Sequence, residues 1–176
     1  MGRKKAAAKG ASSEAADGAR IYTLEVVLLE GIITKTFHQA NPVVSRTIVM
    51  RGDQTLEHFH YAIEDAFDRD DEHLYEFQFG KRPMDRNGDR YVRFDDFGDD
   101  YDEPTGTANK VRLDDLELKA RRRFFYWFDF GDSWWHSVKV VSIKVEAPEG
   151  RYPRVVARVG ASPPQYLSED EYDDLA

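Results

Sequence analysis

Three histidines and two aspartates are the side chains of this 176-residue chain best suited to chemistry: His60, His73, His136, Asp129 and Asp132. Neutral imidazoles bind zinc, nickel or iron, and carboxylates complete mixed nitrogen and oxygen sites. If these five converge, a divalent transition metal held among them supports a hydrolase-like reaction. The spacing forms no local metal motif. His58 and His60 stand two apart on a helical stretch and point to different sides, and no His-x-x-x-His pair occurs. A histidine beside Phe59 and Ile63 is more commonly buried and hydrogen-bonded, which is the plainer expectation for His60. Asp129 and Asp132 bracket Phe130-Gly131, and aspartates at hairpin ends accept backbone N–H bonds. A buried Asp129 needs an arginine or several backbone donors, and Arg122 and Arg123 precede the same strand.

Other stretches carry weaker chemical signals. Asp-Phe-Gly-Asp shares its first three residues with the kinase metal-binding triplet, but the Gly-rich phosphate loop, the strand lysine motif and a catalytic His-Arg-Asp are all missing. The six acids between Asp95 and Glu103 lack the spacing of a calcium loop and read as a solvated loop. Trp134 and Trp135 are adjacent on a strand, so at most one is expected deep in a two-layer core. The other is a candidate binding platform for a protein partner, unless a helix or the C-terminal segment covers it. Four basic residues near the start, Arg3, Lys4, Lys5 and Lys9, form an arm able to touch nucleic acid. Beyond residue 20 the chain holds 20 basic and 31 acidic groups, and so acidic a body repels a phosphate backbone.

Cysteine is absent, which excludes disulfides, thiolate nucleophiles and thiolate metal sites. No apolar run reaches the roughly 18 residues that span a bilayer, and the first 20 residues lack a secretory apolar stretch. A cytoplasmic protein without a membrane segment is expected.

The elements that must position these residues follow from periodicity. "IYTLEVVLLE" and "VVSRTIVM" read as two strands that pair. "TLEHFHYAIEDAF" reads as a helix capped by Thr55, with Leu56, Phe59, Ile63 and Phe67 on its core face and Glu57, Tyr61, Glu64 and Asp65 opposite. "HLYEFQFG" alternates as a half-buried strand, and Asn87-Gly88 offers a type I′ turn. A helical turn is expected around Asp114-Asp115-Leu116. In "FFYWFDFGDSWWHSV", Phe124, Tyr126, Phe128 and Phe130 share one strand face, and Gly131 to Ser133 turn into the return strand. The apolar parity of that strand shifts between Val140 and Val141, which predicts a β-bulge there.

These segments, in this order, resemble the plasmid pRiA4b ORF-3-like family over about Ile21 to Tyr166. The stretch Phe128 to His136 matches the family's Asp-Phe-Gly-Asp-x-Trp-x-His core. The resemblance implies an α+β domain carried on plasmids and as a passenger of insertion elements, and it brings no known reaction with it. His60, His73 and His136 coincide with family motif positions. Asp68-Arg69 stands where the family has Gly-Trp. Ser162 stands where many relatives have a cysteine, and a later Cys-Gly-Gly is missing, so a thiolate site in those relatives has no counterpart here.

The expected architecture is one α+β domain from Ile21 to about Val145. It has a mixed or antiparallel sheet, one main helix packed on it, and a β-grasp-like strand-strand-helix-strand start. Residues 1–20 form a disordered basic leader. Residues 146–176 form an extended, proline-punctuated segment with an acidic end, partly docked through Tyr152, Val155, Val156 and Tyr166. The expected function is a non-enzymatic protein-interaction module of mobile-element origin, without a cofactor. Its alternatives are a metal-dependent enzyme on the His/Asp cluster and weak nucleic-acid binding through the arm.

Overall fold

A computed structural model describes residues 20–70, 73–93, 103–146 and 148–175. The arm residues Arg3, Lys4, Lys5 and Lys9, and the acid run from Asp95 up to Asp102, lie outside the described residues. The elements in chain order are β1 (Ile21–Glu30), α1 (Lys35–Ala40), β2 (Ser45–Arg51), α2 (Leu56–Ala66), β3 (Tyr75–Gln78), β4 (Arg90–Val92) and β5 (Gly106–Thr107). A short 3-10 helix (Leu113–Leu116), β6 (Arg123–Phe128), β7 (Trp134–Lys144), β8 (Arg154–Val159) and a second 3-10 helix (Glu169–Asp174) complete them. The strands form one eight-stranded sheet in the order β5-β4-β3-β6-β7-β1-β2-β8. It is mixed: β4 and β5 run parallel, and the other pairs are antiparallel.

β1 and β2 pair as their patterns predict, with Ile21 opposite Arg51. The β-grasp expectation does not hold. In that fold the strand after the helix lies beside the first strand, whereas here β6 and β7 stand between β3 and β1. The reason is the long aromatic hairpin: β7 takes the free edge of β1 over Ile21 to Glu30, leaving β3 to pair with β6. The chain beyond Val145 also contributes a strand, β8, at the sheet edge beside β2.

α2 starts where Thr55 caps it, the Thr55 hydroxyl accepting from the His58 backbone N–H at 3.3 Å. Its apolar positions Leu56, Phe59, Ile63 and Phe67 are all fully buried against the sheet. Phe59 stacks on Phe77 and meets Phe124 edge-on, each such ring adding about 2–3 kcal/mol through the water it sheds. Glu64, expected on the solvent face, is buried, because α2 lies in the sheet deeply enough to draw in that flank. The helix α1 was not legible. Thr34 caps it, accepting from the Phe37 N–H at 3.1 Å, but six residues give too short a periodic pattern to read.

The β-bulge is present. Thr23 pairs with Ser142 and Leu24 with Val140, so Val141 is the extra residue, and inward positions pass from Val138 and Val140 to Ile143. β3 is buried on both faces rather than half-buried, because Gln78 donates to Glu76 at 2.7 Å and Arg90 lies 3.5 Å from the same carboxylate. Neither Asn87 nor Gly88 has the positive φ of a type I′ turn; the β3–β4 connection is a longer loop instead. The 3-10 helix at Leu113–Leu116 supplies the expected helical turn, and its Asp114 accepts from the Tyr22 hydroxyl at 2.7 Å.

Candidate functional site

The inward face of the hairpin delivers Phe124, Tyr126 and Phe128 from β6, and Trp134 and His136 from β7, all fully buried. Asp129 ends β6 by turning left-handed (φ 51), so Phe130 leaves the Phe124 face and stacks on Trp127 at 4.0 Å instead. Asp129 Oδ1 then accepts from the backbone N–H groups of Gly131 (3.1 Å) and Asp132 (3.3 Å). Backbone donors therefore satisfy this buried carboxylate. Arg122 and Arg123 do not reach it: Arg122 donates to the Phe79 carbonyl, and Arg123 is exposed at the start of β6.

Helical spacing places His60 and Glu64 on one flank of α2, above Tyr126. The phenol donates to Glu64 Oε1 at 2.9 Å and lies 2.7 Å from His60 Nδ1. With the phenol proton directed at Glu64, His60 Nδ1 carries the proton that completes the chain. His60 also stacks on Tyr75 at 3.7 Å. Burial, then the Glu64 charge, push the Tyr126 phenol well above its ordinary pKa.

The other candidates divide differently. His73, before β3, has Nε2 2.8 Å from the Tyr166 hydroxyl and 3.6 Å from Asp129 Oδ2. Asp132 is half-buried in the turn, and burial, followed by the Asp129 charge, raises its pKa. His136 sits between Phe67 (5.0 Å) and Tyr126 (5.4 Å) with neither ring nitrogen hydrogen-bonded. Burial, aided by the Arg69 charge, lowers its pKa to about 3, so the ring is neutral. The hairpin and α2 thus bring His60 and His136 both beside Tyr126, while His73 pairs with Asp129. Among the described residues no three His, Asp or Glu side chains stand close enough to hold a metal ion.

Both tryptophans are buried: the ring outside the core is covered, though by Trp127 rather than by a helix or the C-terminal segment. Trp134 lies between Gly31, where a Cβ would fall 2.0 Å from the indole, and the Arg69 guanidinium, centred 3.5 Å from the ring. Trp135 is on the opposite face, stacked at 5.0 Å under Trp127, and only 7% of it is exposed. Trp127, Phe125 and Phe130 are half-exposed on that outer side.

Arg69, Glu64 and Tyr126 belong to this layer and were missed. Tyr126 read as one more core ring, and Arg69 as a position where the chain departs from the family's Gly-Trp. The C-terminal segment closes the layer: Gln165 Oε1 accepts from the Asp70 N–H at 2.7 Å, and Gln165 Nε2 donates to the Tyr166 hydroxyl at 3.2 Å.

A mixed sheet with a helix on one face and a polar layer at the helix end defines an α+β protein. The chain belongs to the plasmid pRiA4b ORF-3-like protein family, whose model matches residues 32–175. It is similar to the uncharacterized protein y4hQ of Sinorhizobium fredii, 26% identical over 132 residues that make up 74% of this chain and 62% of that protein. It therefore spans less than two thirds of that relative's length. The crystal structure of MM3350 from Methanosarcina mazei Go1, titled a protein of unknown function, superposes with a TM-score of 0.60 at 27% identity. That match covers 80% of this chain and 70% of the other. Among the described residues no helix is long and apolar enough to cross a membrane.

Proposed function

We propose that this protein is a non-enzymatic interaction module of mobile-element origin whose outer sheet face receives a protein partner. The observation that carries this reading is the half-exposed row of Val27, Phe125 and Trp127 on the face away from α2. Trp135 packs beneath Trp127 and holds it in place. Aromatic rings fixed on a rigid sheet lose little conformational entropy on binding, and interface centres favour them. The charged rows beside them, Glu25 with Lys139 and Arg123, suit a polar rim. Of the titratable candidates, His60 lies in an internal chain with Glu64 and Tyr126, and His73 pairs with Asp129 and Tyr166.

The test is affinity capture with the intact chain, followed by reconstitution with the purified partner. Trp127→Ser, shown to be folded by circular dichroism, is expected to weaken the reconstituted complex at least about tenfold. A chain lacking residues 1–20 is expected to bind as before, which separates this reading from nucleic-acid binding through the arm. A partner bound equally by Trp127→Ser would overturn the reading. So would stoichiometric zinc or nickel in protein purified without added metal, if joined to substrate turnover lost in His73→Ala.

A further inference from the structure

Among the described residues, most of the buried polar atoms without partners gather at one place, the end of α2 beneath residues 160–166. Arg69 leaves the helix there, its backbone N–H donating to the Glu64 carbonyl at 3.0 Å, and only 9% of the residue is exposed. None of its three side-chain nitrogens has a hydrogen-bond partner among the described residues. The Trp134 Nε1 and both ring nitrogens of His136 are also buried and unpartnered. Trp134 and His136 are two apart on β7 and so share a face, and the Arg69 guanidinium is centred 3.5 Å from the Trp134 ring.

The inventory is lopsided. Among the described residues, five guanidinium N–H groups, one indole N–H and one imidazole N–H outnumber the acceptors near them, the second nitrogen of neutral His136 and the Glu64 carboxylate. A buried donor left unmade costs about 1–3 kcal/mol, and native folds do not collect several without an acceptor. Each carboxylate nearby among the described residues has one oxygen engaged. Glu64 Oε1 takes the Tyr126 proton, and Asp129 Oδ1 takes two backbone N–H groups. Both attract Arg69 through space without contact, and the guanidinium, though burial lowers its pKa to about 10, stays charged at neutral pH.

We propose that Arg69, with the Trp134 Nε1–H and His136 beside it, forms a binding site for a small oxyanion of carboxylate size. A guanidinium lying on an indole presents its N–H groups in one plane, and that fork matches a carboxylate edge with two parallel bonds. The nearby charges of Glu64 and Asp129 disfavour a dianion, so the ligand is a monoanion.

Sodium formate is the probe, titrated into the 15N-labelled full chain at constant ionic strength with chloride as the balancing salt. The Arg69 Nε–H and Trp134 Nε1–H resonances are expected to shift saturably. Inorganic phosphate at neutral pH should move them less. Arg69→Lys should weaken the response by about tenfold through loss of the fork, and Arg69→Met should abolish it. Resonances that stay in place, or that chloride moves as far, would overturn the site, as would an unchanged response in Arg69→Met. If that variant fails to fold, the wild-type titration decides alone. Trp127→Ser leaves the formate response intact, so loss of the partner reading and loss of this one are distinguishable.

Discussion

His136 is a titratable ring that the fold holds neutral. Its folded pKa of about 3 lies below the ordinary imidazole value of 6.5, so the unfolded chain binds the extra proton in that window. The stabilisation is fully present above pH 6.5 and is lost as pH falls towards 3, with a slope of about 1.4 kcal/mol per pH unit. His136→Phe removes this linkage while keeping a ring between Phe67 and Tyr126. Urea unfolding at pH 7 and pH 5 should show wild type losing about 2 kcal/mol more than the variant. Equal losses would mean that the ring is solvated in the native state. The chemical candidacy of His136 was readable from its residue type beside two tryptophans. Its isolation was not, because burial on the sheet face and the approach of Arg69 both come from distant parts of the chain.

At the scale of elements, Arg46 joins α2 to the segment after β8. It projects from β2, is 2% exposed, and lies over the Phe67 ring at 4.8 Å. Its guanidinium donates to the carbonyls of Ala66 (2.8 Å), Val159 (2.9 Å) and Gly160 (3.1 Å) and to the Ser162 hydroxyl (2.9 Å). Arg46→Met retains the stem and removes these bonds. The expected cost is about 3 kcal/mol, together with faster limited proteolysis after Val159 than in wild type. Cleavage at an unchanged rate would show that Pro163 and Gln165 hold the segment unaided. α2 and the β-bulge at Val141 were legible because each writes its period into a short stretch. β8 was not, because the surrounding prolines read as punctuation and its pairing with β2 is a contact across more than a hundred residues.

For the whole molecule, strand order predicts where the fold opens first. β6, β7 and β1 are interior strands covered by α2, whereas β5 is a two-residue edge and β8 an edge strand interrupted by a register shift between Thr47 and Ile48. Amide hydrogen exchange should therefore be slowest in β1, β6 and β7 and faster by orders of magnitude in β5 and β8. Uniform protection would contradict a core centred on the hairpin. Local patterns in the sequence determined the two paired strands, the capped helix, the aromatic hairpin with its turn, and the family. They could do so because alternation, helical spacing and turn residues act over a few positions. Only the tertiary structure decided that β7 lies beside β1, that both tryptophans are buried on opposite faces, and that Arg69 meets Trp134 and His136. Those outcomes depend on which faces pack together, and packing joins residues that no sequence period links.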